Sequence, residues 1–153
     1  LIIPFLILVV GATIEFARAI RHKRIVASLS KEAANLIFRE CADFKTLVTT
    51  PCLPMKQNSM QVFAQDIIPD TTISVTVGVR DDDGNSFVVT EPPEGTPCLT
   101  ASGGNRVETL LNGSFDVAVC ARARIPFRPI VPFLGAFLGR ALDISSFTDE
   151  SII

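Results

Sequence analysis

The first forty-four residues read as one helix with two unlike halves. Leu1 to Ile14 (LIIPFLILVVGATI) carries no charge, and ten of its fourteen residues are Leu, Ile, Val or Phe. Further on, Ile25, Leu29, Ala33, Leu36, Ile37, Cys41 and Phe44 recur at helical spacing. Ser28, Lys31, Glu32, Asn35, Arg39 and Asp43 take the opposite face, as in a helix that lays one stripe on a core. No proline interrupts between Ile14 and Phe44. The pattern predicts a single rod, apolar all round below and amphipathic above. Pro4 and Gly11 lie in the lower half, where membrane helices tolerate a kink.

Beyond Lys45 the period changes. Thr49, Thr50, Pro51 and Pro54 are expected to end the helix, and Ser59 to Ile68 predicts a short second one before Pro69. Thr71 to Arg80 (TTISVTVGVR) alternates Ile73, Val75, Val77 and Val79 with Thr72, Ser74, Thr76 and Gly78, the clearest strand in the chain. The Asp81-Asp82-Asp83-Gly84-Asn85 turn returns it into Ser86 to Glu91 as a hairpin. Pro92 to Asn105 reads as a loop, and Arg106 to Leu111 as a short helix or strand. Phe115 to Arg124 reads as a further strand, with Phe115, Val117, Val119 and Ala121 on one face and Asp116, Ala118, Cys120 and Arg122 on the other. The tail holds Phe127, Ile130, Val131, Phe133, Leu134, Phe137 and Leu138, punctuated by Pro126, Pro129 and Pro132. That run is too short and too broken to cross a bilayer. It is expected to cover the sheet or, through Phe127, Ile130, Phe133 and Phe137, to form a contact patch.

The resulting fold class is α+β, with a membrane or assembly helix over residues 1–44 and a β-rich globular domain over residues 45–153. Apolar side chains of the first segment each favour lipid by about 0.3–0.6 kcal/mol, so the run gains roughly 3–6 kcal/mol on insertion. Its length is roughly 21 Å at 1.5 Å per residue, short of a hydrocarbon core of about 30 Å. We expect further apolar residues upstream, or completion by neighbouring copies. A secretory signal has its basic stretch before the apolar run and a small-residue cleavage site after it. Here Glu15, Arg18, Arg21, His22, Lys23 and Arg24 come after the run and the helical pattern continues, so the segment is expected to be retained. Basic residues just after a span ordinarily mark the cytoplasmic side. The cysteines and the Thr, Gly and Pro content of the β domain argue for the outside.

Composition narrows the class. The chain is 48% hydrophobic and that excess sits at its N-terminus; the net charge of −2 offers no basic face for nucleic acid. A single histidine, His22, and no Trp or Tyr leave few side chains for hydrolytic or redox work. Four cysteines, Cys41, Cys52, Cys98 and Cys120, lack the spacing of a zinc site and read as two disulfides. Four cysteines allow three connectivities. Cys41 with Cys52 and Cys98 with Cys120 is the pairing expected, the one closing a short loop and the other tying a loop to a strand. Buried free thiols are the alternative.

The order apolar–Pro4–apolar–Gly11–apolar–Ile14-Glu15-Phe16-x-Arg18, then a helix rich in Ala27, Ala33 and Ala34, resembles the TadE-like pseudopilins of tight adherence (Tad) pilus systems. The strand ending in basic residues and continued by FRPIVPFLGAFLG is similar to that family as well. The resemblance implies a type IV pilin-like architecture, a prepilin-type precursor, residence in the inner membrane and assembly with copies of itself and other components into an extracellular pilus. Its assembly helix would use Leu1, Pro4, Phe5, Leu8, Gly11, Ile14, Glu15 and Arg18. Position 5 is Phe5, where such proteins carry a glutamate five residues after the cleavage site, so processing is inherited from the resemblance alone.

Other motifs weigh less. Glu15 is either a helix-end charge reaching the interface or a partner for Arg18, Arg21 or a cation on a neighbouring subunit. The acidic turn at Asp81 lacks the flanking helices and final glutamate of a calcium loop, and reads as a hairpin turn. Asn112-Gly113-Ser114 matches a glycosylation sequon but is ordinary turn chemistry, and Ser102-Gly103-Gly104-Asn105 lacks the lysine of a phosphate loop. No nucleophile has an identifiable base beside it. The expectation is a structural subunit with no catalytic residue, cofactor, metal or small-molecule substrate. A membrane-tethered extracytoplasmic binding domain is the alternative.

Overall fold

The computed structural model describes residues 2–42, 51–81, 83–91, 98, 103–113, 115–128 and 146–153. The chain runs α1 (Ile2–Cys41), α2 (Cys52–Ile67), β1 (Thr72–Arg80), β2 (Ser86–Glu91), α3 (Arg106–Gly113), β3 (Val117–Pro126) and β4 (Ser146–Ile152). The strands form one antiparallel sheet in the order β2-β1-β3-β4. The α+β expectation of a long N-terminal helix and a small antiparallel sheet holds. Phe44, Ile130, Phe133 and Phe137 lie outside the described residues, as does Leu1.

The upper half of α1 and α2 cover one face of the sheet. Val26, Leu29, Ala33, Ala34, Ile37 and Cys41 of α1 pack with Ile73, Val75, Val77 and Val79 of β1 and Val119, Ala121, Ala123 and Ile125 of β3 in one core. The buried stripe is turned slightly from the one the sequence suggests. Val26, Ser30 and Ala34 are fully inside, whereas Ile25 and Leu36 are half-buried. Ala33 and Ala34 on the helix share that core with Ala121 and Ala123 on β3, and small side chains on both elements let helix and sheet approach closely. Ser30 also donates to Asp149 Oδ2 of β4 at 2.5 Å.

The α2 helix begins at Cys52, seven residues before the start expected, and Pro54 sits in its first turn. Proline is compatible there because the first N–H groups of a helix have no intrahelical acceptor. Gln57 and Gln61 of α2 then serve the start of β1. Gln57 Nε2 donates to Ile73 O at 2.9 Å, Ile73 N donates to Gln61 Oε1 at 2.7 Å, and Gln61 Nε2 donates to Thr71 O. Among the described residues β2 pairs with β1 as far back as Val75, and Pro92 and Pro93, next in sequence, have no N–H for a ladder. The glutamines supply the hydrogen bonds that a strand would have supplied.

The sheet's other face carries a smaller core of Val107, Leu111, Ala118, Cys98 and Cys120 beneath α3. Asn105 caps that helix by accepting the Val107 N–H at 3.0 Å. Strand β1 is therefore buried on both sides. Its polar face is satisfied by Thr76, whose hydroxyl pairs with that of Thr90 at 3.1 Å. Gly78 lies directly under α3: a Cβ there would stand 2.6 Å from Val107 Cγ1 and closer still to Leu111 Cδ1. Gly78→Val is expected to lift α3 and cost about 1–3 kcal/mol. Denaturant titration of the variant measures this, and an unchanged midpoint would contradict the close approach.

β3 starts and ends two residues later than the sequence suggests, and its face alternation is as expected, with Val119 and Ala121 in the large core and Ala118 and Cys120 in the small one. β4 is a strand the sequence does not predict; it pairs along β3, with Arg122 opposite Glu150. The hairpin between β1 and β2 is closed as expected at Asp81: its Oδ1 accepts the N–H groups of Asp83 and Asn85 at 3.1 and 2.7 Å. Gly84 takes the positive φ of +86° that this turn needs. Both disulfides form with the expected pairing, Cys41–Cys52 with Cα atoms 5.8 Å apart and Cys98–Cys120 at 6.3 Å.

Candidate assembly surface

The lower half of α1 is where this chain departs from an ordinary small domain. Ile3, Phe5, Leu6, Ile7, Leu8, Val9, Val10, Ile14, Phe16 and Ile20 are all exposed, from 40% to 71%. A helix that served only the core of its own chain would keep one face polar. From Phe5 to Val10 apolar residues at consecutive positions point in every direction around the axis, whereas Gly11, Ala12, Glu15, Arg18 and Ala19 form a partly covered line beyond them. From Val26 onward the same helix is held against the sheet. Folded monomers rarely leave a contiguous apolar surface of this kind uncovered unless it meets lipid or protein. Among the described residues, no helix is long and apolar enough to cross a membrane.

Of the residues the sequence singled out, Phe5, Leu8 and Ile14 lie on this bare surface at 66%, 44% and 54% exposure. Gly11 is half-buried, and Pro4 is part of the helix. Glu15 behaves differently from its neighbours. It is among the largest fully buried side chains, and its Oε2 accepts from Arg18 Nη1 at 3.3 Å one turn on. A carboxylate withdrawn from water needs such a cation, and its withdrawal leaves the outward side of the helix apolar. The sequence leaves open whether Glu15 reaches an interface or finds Arg18; within one chain the pair forms.

Of the four residues of the expected contact patch, Phe127 alone is described, and it is buried, 7% exposed, in a cluster of rings. Its ring meets Phe147 edge-on at 5.3 Å and His22 at 5.8 Å, and the Arg18 guanidinium carbon lies 6.0 Å from its centroid. Sequence reasoning misses this cluster, because His22 looks like one member of a basic run. The signal available is positional: His22 lies one turn before Val26 on the buried stripe.

Burial, then the charges of Arg18 and Arg21, push the His22 imidazole below its ordinary pKa. Its Nδ1 is buried without a hydrogen-bond partner among the described residues. The folded chain therefore takes up a proton at His22 at lower pH than the unfolded chain, which protonates near pH ~6.5. The unfolded state then binds more protons, so this contribution is full above pH ~6.5 and is lost as pH falls through that value toward the lowered folded pKa. Thermal midpoints are expected to drop on acidification from pH ~7 to ~5, before the ordinary carboxylate range is reached. His22→Leu should flatten that limb; an unchanged slope would exclude His22 as its source.

Among the described residues, no group of three or more His, Cys, Asp or Glu side chains is placed to hold a metal ion. The Asp81 carboxylate is instead drawn below its ordinary pKa by the Asn85 side chain and backbone N–H groups of its own turn. No protein-family model, curated protein or solved structure matches the chain.

Proposed function

We propose that this chain is a structural, pilin-like subunit that acts by assembly, its bare N-terminal helix packing against copies of itself after residence in a membrane. The observation that carries the reading is the exposed apolar surface of Ile3, Phe5 to Val10, Ile14, Phe16 and Ile20 on a helix whose upper half is clamped to a disulfide-bonded domain. Fully burying each such side chain is worth about 1.5–3 kcal/mol, which gives copies a strong reason to associate in water. A long helix that joins subunits and a small domain that it carries is the division of labour the TadE-like resemblance implies. Two disulfides support an oxidising, extracytoplasmic setting. In this reading the domain faces outward, first from the inner membrane and then from an extracellular filament.

The test is electron microscopy and sedimentation of the purified full chain after detergent removal. Filaments or defined oligomers are expected. Leu8→Asp should abolish them without moving the thermal midpoint of the domain, because Leu8 is exposed and belongs to neither described core. A membrane-tethered binding domain would instead stay monomeric in detergent and bind vesicles as single copies. A chain that remained monomeric in plain buffer and ignored vesicles would end both readings.

A further inference from the structure

The bare stretch of α1 ends in charge. Arg21, Lys23 and Arg24 come after Ile20, and all three side chains are exposed. At about 100° per residue these three point in different directions around the helix, while His22 between them turns inward to Phe127 and Phe147. None of the three makes an ion pair among the described residues. Between Leu1 and Lys31 the sole acidic residue is Glu15, which is buried and paired with Arg18. Along α1 the surface thus passes from exposed apolar side chains to exposed cations within one turn, and the helix carries no exposed carboxylate before Glu32.

We infer that Arg21, Lys23 and Arg24 form a cationic collar that binds anionic phospholipid headgroups, seating the domain on a bilayer whose hydrocarbon receives the apolar end of α1. The inference rests on the reading of that end as the inserting and assembling segment, and adds to it the class of lipid. Order along the helix argues for lipid: a hydrocarbon layer and then an anionic phosphate layer, on whichever leaflet carries it, is the sequence of environments that apolar side chains and then cations match. The uncharged stretch from Ile3 to Ile14 covers roughly 17 Å at 1.5 Å per residue, enough to enter a hydrocarbon core of about 30 Å without crossing it.

The experiment is co-sedimentation of the full chain with vesicles of phosphatidylcholine alone or mixed with phosphatidylglycerol, at ~0.1 M and ~1 M NaCl. Wild type should bind both, and prefer the anionic vesicles by roughly ten- to a hundredfold at low salt, a preference that collapses at high salt. The triple variant Arg21→Gln/Lys23→Gln/Arg24→Gln should keep its binding to phosphatidylcholine and its thermal midpoint, and lose the anionic preference. If wild type shows no preference, or the variant retains it, the collar is not a lipid site. Salt-dependent association of the chain with itself, lost in the same variant and seen without lipid preference, would reassign the cations to carboxylates of a second copy. Failure to bind any vesicle while filaments still form would overturn the collar and leave the assembly reading intact; absence of both would remove the two together.

Discussion

Reduction of both disulfides is expected to bring the domain close to unfolding at room temperature. Cys41–Cys52 closes a separation of 11 residues and Cys98–Cys120 one of 22. In the chain-entropy picture, loops of these lengths each contribute about 3 kcal/mol. Together that is on the order of 6 kcal/mol, against about 5–15 kcal/mol for the net stability of a typical domain. The thermal midpoint should fall by about 10–25 °C in reductant. The two bridges are not equivalent. Cys41 and Cys52 belong to the large core and join α1 to α2, whereas Cys98 and Cys120 make up much of the small core under α3. Cys98→Ala/Cys120→Ala should therefore speed amide exchange in α3 first, around Val107 and Leu111. A midpoint that does not move when mass spectrometry shows four free thiols would refute the account.

The second large effect is a contrast within one helix. Ile37→Ala removes a fully buried side chain between α1 and the sheet and is expected to cost about 2–5 kcal/mol. Ile7→Ala makes the same chemical change where the side chain is 69% exposed, and should alter the stability of the isolated chain by no more than about 0.5 kcal/mol. Assembly should respond in the opposite sense. Ile7→Ala raises the concentration at which oligomers appear, and Ile37→Ala leaves the assembling surface unchanged in the folded fraction. Urea titration and sedimentation of the two variants test both halves. Equal destabilisation by the two changes would show that the lower helix belongs to the core of its own domain.

That contrast also marks how far the fold is legible in the chain. The alternation of Ile73, Val75, Val77 and Val79 is a local signal, and β1 lies within a residue of its expected start. The hairpin at Asp81 is equally local, since Asp, Gly and Asn have turn chemistry of their own. β4 is not legible. Ser146 to Ile152 alternates weakly, and half its reason for being a strand lies on another one, where Arg122 reaches Glu150. The start of α2 escapes a reading of the sequence because Pro54 looks like a terminator, although proline in a first turn leaves the rest of the helix intact.

By itself, the sequence determined that the chain begins with an apolar helix, becomes amphipathic, and ends in a small cysteine-containing sheet. Those properties are periodic, and period is carried by neighbouring residues alone. Tertiary structure decided which atoms of that helix face water. It rotated the buried stripe to Val26, Ser30 and Ala34, because a sheet lined with Ala121 and Ala123 admits small side chains at close range. It withdrew Glu15 onto Arg18 and placed His22 against two phenylalanine rings, where desolvation opposes its charge. It left Ile3 and Phe5 to Val10 bare, and Ile14, Phe16 and Ile20 bare on one side, since the described sheet engages only the upper part of a rod roughly 60 Å long.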